Sequence, residues 1–85
     1  MTGRFGHNSR RALDRLEEGS EAVLVEVDGD TGLRRRLMEL GMLPGTVVRL
    51  VRRMEAVGVL ELEVRRCRLS LRLADARHLT VRPAA

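Results

Sequence analysis

Hydrophobic and polar residues keep a two-residue period through most of this chain, broken once by a helical one. VLELEV, from Val59 to Val64, puts Leu60, Leu62 and Val64 on one face and Glu61 and Glu63 on the other, the pattern of a half-buried strand. CRLSLRL repeats it, with Cys67, Leu69, Leu71 and Leu73 predicted inward and Arg68, Ser70 and Arg72 outward. Earlier, EAVLVEV divides into Val23, Val25 and Val27 against Ala22, Leu24 and Glu26. VVRLVRRM divides into Val48 and Leu50 against Val47, Val51 and the outer arginines. Between these two strands, TGLRRRLMELG carries Leu33, Leu37 and Leu40 at i, i+4 and i+7, one stripe of a short helix. Thr31 or Asp30 is placed to cap its first turn.

The junction LGMLPGT explains how the period changes within a few residues. Gly41 sits where a helix ends in the left-handed conformation, and Leu43-Pro44-Gly45-Thr46 matches a type II turn. Pro44 presets the second position of that turn and Gly45 supplies the positive φ of the third. Elsewhere, residues 1–11 mix Gly, Asn, Ser and Arg without a period and read as a flexible tail. ALDRLEEG offers a single turn docked by Leu13 and Leu16, and DGD turns the chain into the helix. EAVG forms a connection longer than a tight hairpin, while Arg65 and Arg66 mark a second hairpin without an Asn-Gly signal. ADAR gives one helical turn that includes Ala76, and HLTV a last strand before Pro83.

These elements predict a mainly β protein: a small SH3-like barrel of about five strands, with one short helix between the first and second barrel strands. Short strands with one solvated face need their edges hidden, and barrel closure is the economical way to do it. A ferredoxin-like fold would need a second full helix. The predicted organisation is a tail over 1–11, one domain over 12–82 and a short end over 83–85.

Composition narrows the function. With 85 residues, 44% of them hydrophobic, the chain can bury one modest core, built from Val, Leu and Met because it has one Phe and no Tyr or Trp. That poverty in aromatics argues against base stacking on nucleic acid. A single cysteine forms no internal disulfide and no zinc knuckle, and no apolar run approaches a membrane span. A soluble, cytoplasmic protein is expected. Charge is uneven: residues 1–30 hold four Arg against seven acids, and residues 31–85 hold twelve Arg against five. The later part therefore gains a basic surface suited to an acidic protein, a membrane face or nucleic acid, unless Arg serves only as a solubilising residue.

GLRRRLMELGMLPGTVVRLV, followed later by RRCRLSLRLADARHLTV, resembles the FeoA family of bacterial ferrous-iron uptake, whose domain also occurs at the C-terminus of metal-dependent repressors. The matching positions are Arg36, Leu37, Leu40, Gly41, Pro44 and Gly45, then Leu71, Arg72, Ala76, Leu79 and Val81. The resemblance covers roughly residues 13 to 82. MEAVGV departs from it, standing where the family often has prolines. It implies an SH3-like barrel acting beside FeoB, the GTPase-linked Fe(II) permease of the inner membrane, as a non-enzymatic regulatory protein. The sequence leads to the expectation of no cofactor and no insertion into the membrane.

No nucleophile, base and orienting group come together in the sequence, and GxxxxGK[ST] is absent. Cys67, on an otherwise leucine-lined face, reads as core filler that reacts slowly with thiol reagents. Met38, Met42 and Met54 read as packing. His7 and His78 lack the spacing of a built metal site but are compatible with adventitious zinc, including in a weak or metal-bridged dimer. The partner-binding candidates are Arg65, Arg66, Arg68 and Arg72 around the second hairpin, with Arg34 and Arg35 on the helix as a second surface. A nucleic-acid-binding basic barrel and a metal-responsive regulatory domain stay open as alternative functions.

Overall fold

A computed structural model of the chain describes residues 10–84. Six strands form one antiparallel sheet: β1 (Arg11–Ala12), β2 (Glu21–Val27), β3 (Val47–Met54), β4 (Val59–Val64), β5 (Cys67–Arg72) and β6 (Leu79–Pro83), in the order β1-β6-β2-β3-β4-β5. Helix α1 (Thr31–Glu39) links β2 to β3, and the one-turn α2 (Leu73–Ala76) links β5 to β6. Single 3-10 turns occupy Leu13–Arg15 and Glu55–Val57. Arg11, assigned to the tail by sequence, already pairs with Val81, and the last strand runs to Pro83.

The expected barrel does not form. β1 and β5 are the two ends of the sheet and do not pair with each other, so it is an open sheet of six strands rather than a closed barrel of about five. The reason is local. β1 is two residues long and too short to carry a closing ladder, and β5 stops at Arg72, where the chain turns into α2. α2 packs against β4, β5 and the Leu13–Arg15 turn, so helical turns close over the core where a strand ladder would have done. One cluster fills that core: Leu13, Leu16, Ala22, Leu24, Leu33, Leu37, Met42, Val48, Leu50, Leu60, Leu62, Val64, Leu71, Ala76, Leu79 and Val81.

Two irregularities alter the simple alternation. In β2 the register against β6 shifts between Leu24 and Glu26, so Val27 packs against the core with Ala22 and Leu24 instead of lying opposite them. In β3 the register against β4 shifts between Leu50 and Arg52. That shift pairs Arg52 with Glu61 and Arg53 with Leu60, turning the half-buried Arg53 toward the inner side. There the Arg53 guanidinium donates to the carbonyls of Asp14 (2.7 Å) and Leu16 (2.5 Å), tying the N-terminal turn to the sheet. Nothing in the alternation of VVRLVRRM signals this role, because it depends on the bulge.

The helix end is encoded locally and built as a complete Schellman motif. Asp30, not Thr31, is the N-cap: its carboxylate accepts from the Leu33 N–H at 2.7 Å. At the other end Met42 N–H donates to Leu37 O (2.9 Å) and Gly41 N–H to Met38 O (3.0 Å), with Gly41 at φ +87°. Met42 is fully buried beside Leu37. This reversal explains why Leu40, placed by sequence on the buried stripe, is 50% exposed. The stripe ends at Leu37 because the chain leaves the helix at Leu40, and Met42 takes the next place in the core.

A candidate partner-binding hairpin and its cleft

The Pro-Gly turn delivers β3 to one wall of a cleft. Thr46 N–H donates to Leu43 O at 2.9 Å, closing the Leu43–Thr46 turn, and Gly45 takes φ +95°. Gly45 N–H donates to Leu24 O (2.7 Å) and Leu24 N–H to Thr46 O (2.8 Å), which fastens the turn to β2. The buried Thr46 completes the corner, its hydroxyl donating to Gly41 O at 3.4 Å and accepting from Leu43 N–H at 3.3 Å. Leu43 and Val47 stay exposed on either side of this corner. Together with Met38 and Leu40 they give the stretch from 38 to 47 an apolar surface.

The opposite wall is the β4–β5 hairpin. Val64 pairs with Cys67, so Arg65 and Arg66 form a two-residue turn, and both adopt positive φ, +53° and +71°. This is the geometry of a type I′ turn, normally made by Asn-Gly because side chains with a Cβ are strained there. Two consecutive arginines in the left-handed region are an expensive choice for stability alone. The cleft between the walls, about 480 Å³, is lined by Glu21, Gly45, Thr46, Val47, Arg49, Glu63, Arg65 and Arg66.

Three outer-face arginines, Arg49, Arg52 and Arg68, are already paired with acids. Paired positions run across the sheet as Glu21, Arg49, Glu63 and Arg68, alternating in charge. The Arg49 guanidinium donates twice to Glu63 Oε1, at 2.6 and 3.0 Å. That hydrogen bond, and then the Arg49 charge, hold the Glu63 carboxyl below its usual range. Arg52 pairs with Glu61 at 3.1 Å and Arg68 reaches Glu61 at 3.5 Å. Arg36 pairs with Asp75 at 3.4 Å, joining α1 to α2. Among the described residues, Arg65 and Arg66 have neither an ion pair nor a side-chain hydrogen bond.

The candidates picked from sequence thus separate. Arg65 and Arg66 lie together on the cleft; Arg68 follows them on β5 but is engaged by Glu61; Arg72 ends β5, exposed. Arg34 and Arg35 are exposed on α1, a different element. His78 is exposed, and His7 lies outside the described residues. Among the described residues no group of three or more His, Cys, Asp or Glu is arranged to hold a metal ion, and no helix is long and apolar enough to cross a membrane.

Cys67 overturns an expectation. It shares a strand face with Leu69 and Leu71 yet is exposed, because burial rises along β5 from the exposed Cys67 through the half-buried Leu69 to the buried Leu71. Alternation identifies the face of a strand but not how far the core extends beneath it. Cys67 is therefore expected to react with a thiol reagent under native conditions at a rate near that of the unfolded chain. Protection by a factor of 100 or more, on the order of that given by burial in a stable core, would contradict the exposed placement.

Three comparisons bear on what this arrangement belongs to. The FeoA domain profile matches residues 11–83. The solution structure of a FeoA protein from Chlorobium tepidum is 28% identical, with a TM-score of 0.81, covering 87% of this chain and 70% of that one. A FeoA-like protein from Clostridium acetobutylicum is 22% identical over 89% of this chain and 88% of its own, with a TM-score of 0.79. A manganese-dependent transcriptional repressor, 17% identical, shares the fold over 88% of this chain and 37% of its own, with a TM-score of 0.81. A search of the curated proteins finds no match. With the profile spanning the whole sheet, from β1 to the end of β6, the chain belongs to the FeoA domain family, whose general role is in bacterial ferrous-iron uptake.

Proposed function

We propose that this protein binds the cytoplasmic region of a FeoB-type, GTPase-linked Fe(II) permease and regulates it from the cytoplasm, with the Arg65–Arg66 hairpin as the contact. One observation carries the choice of surface. Two adjacent arginines occupy left-handed positions that suit Asn-Gly, and they lack ionic partners where their neighbours have them. Strain of this kind persists where the residue is needed for something other than folding. Two unpaired guanidiniums beside a cleft with apolar Val47 at its rim offer an acidic, partly apolar protein surface both bidentate pairing and a contact area. Family membership supports the identity of the partner, and the excess of Arg after residue 30 supports its acidic character.

The test separates fold from function. Replacing Arg65 and Arg66 by Asn and Gly supplies the residues the turn prefers, and is expected to raise stability by about 1 kcal/mol or more. The same variant is expected to lose tagged permease in a co-purification by at least tenfold, since a paired interfacial Arg often contributes about 2 kcal/mol. Unchanged recovery of the permease by the stabilised variant would leave Arg65 and Arg66 as ordinary solvated residues. If the wild-type protein itself never recovers the permease, with nucleotide and Fe(II) present, the partner assignment fails.

A further inference from the structure

The hairpin continues into β5, and the outer edge of β5 is a second feature that folding leaves unused. Among the described residues β5 pairs only with β4. Which of its backbone groups are free follows from the turn. The pair closing a two-residue hairpin, Val64 and Cys67, is a hydrogen-bonded pair, and such pairs recur at every second position of an antiparallel ladder. Leu62 with Leu69 and Leu60 with Leu71 then follow, and one step further Leu73 N–H donates to Gly58 O at 2.9 Å, in phase with the series. The backbone groups of Arg68 and Ser70 and the N–H of Arg72 therefore point away from β4, toward the open edge, while the Arg72 carbonyl, at the N-cap of α2, accepts the first bond of that turn. All three residues are exposed.

The side chains at this edge state what it would accept. The outer-face row Glu21, Arg49, Glu63, Arg68 alternates in sign and stops on a positive residue, so a further strand would continue it with an acid. Arg72, two positions beyond Ser70 on the same face, pairs with Val59 and has no acidic partner among the described residues. A second copy of this chain is a poor occupant. Antiparallel self-pairing centred on Ser70 sets Arg68 opposite Arg72 twice, and like charges directly opposed are destabilising.

We infer that the β5 edge is a strand-addition site, taking an extended segment of the partner protein with carboxylates at positions i and i+4 opposite Arg68 and Arg72. Backbone hydrogen bonds along Arg68–Arg72 supply the affinity and the two arginines select the sequence, as in other cases of strand addition. That the segment belongs to the permease rests on the function proposed above; the preference of the edge for an acidic strand stands on the geometry alone.

The probe is an end-blocked peptide, Val-Glu-Val-Thr-Val-Glu-Val, and its counterpart with Lys in place of Glu. Titrated into the full chain at low salt, the Glu peptide is expected to shift the amide resonances of Arg68, Ser70 and Arg72 and to slow their hydrogen exchange. The Lys peptide is expected to bind at least tenfold more weakly. Ser70→Pro removes an N–H the fold does not use, at an edge position where proline is tolerated, and is expected to abolish binding while circular dichroism stays unchanged. Arg72→Glu leaves the backbone edge intact and is expected to move the preference toward the Lys peptide by about tenfold. Shifts confined to α1, equal binding of the two peptides, or a dimer in sedimentation that the peptides do not dissociate would each overturn the inference. Co-purification with the permease is scored separately. Binding of the Glu peptide without recovery of permease upholds the edge and refutes the partner, and full recovery by Ser70→Pro refutes strand addition while leaving the partner in place.

Discussion

Gly45→Val is expected to destabilise the protein by a few kcal/mol, a large fraction of the total for a domain of this size, about 5 kcal/mol. Gly45 has φ +95°, and a side chain with a Cβ loses about 1–2 kcal/mol in the left-handed region before β-branching adds to it. No heavy atom outside its chain neighbours lies within 4 Å of where a Cβ would stand, so the effect is conformational and not steric crowding. A series therefore discriminates between the two causes. Asn, which tolerates left-handed φ, is expected to be mildest, Ala intermediate and Val worst, as read from chemical-denaturation midpoints. An order set by side-chain volume, with Asn as costly as Val, would mean that the turn is crowded instead. Because Gly45 N–H holds Leu24 O at 2.7 Å, a turn that cannot form also loosens β2 from the start of β3. The cleft wall moves with it.

Leu37→Ala is expected to lose about 3 kcal/mol, within the usual span for emptying a buried leucine site, whereas Leu40→Ala is expected to change stability by less than about 0.5 kcal/mol. Both leucines belong to one helical stripe in the sequence, yet Leu37 is 1% exposed and Leu40 50%. Leu37 carries two duties. It fills the core, and its carbonyl accepts from Met42 N–H in the helix-ending motif. The side-chain truncation leaves that hydrogen bond in place and removes the apolar contact with Met42 that accompanies it. Equal destabilisation by the two substitutions, measured by the same denaturation, would show that Leu40 is buried and the helix ends later than described. If Leu40→Ala instead weakens recovery of the permease without affecting stability, the apolar surface from Met38 to Val47 joins the hairpin as part of the contact.

Elements whose causes are local are legible from the residues alone. α1 is readable because its cap, its leucine spacing and Gly41 all act within a turn of one another, and the Leu43–Thr46 turn because Pro44 and Gly45 preset its angles. β4 is readable because its alternation meets an unbroken ladder on one side. The basic candidates around Arg65 were visible as a run of charge, and the family as a set of spaced residues.

What tertiary structure decided depends on partners distant in the chain. Bulges in β2 and β3 change which face Val27 and Arg53 present, and they exist only when β6 and β4 are alongside. Whether the sheet closes depends on the mutual reach of β1 and β5, which are 55 or more residues apart in sequence. Cys67 and Leu40 lie on the faces that periodicity assigns them, but periodicity has no term for where a core ends. Ion pairing is likewise non-local. Arg49, Arg52 and Arg68 are engaged by acids on β4 that only sheet register brings opposite them, while among the described residues Arg65, Arg66 and Arg72 of the same hairpin have no ionic partner. A string of letters shows that there are many arginines; the register of the strands decides which of them are free to bind.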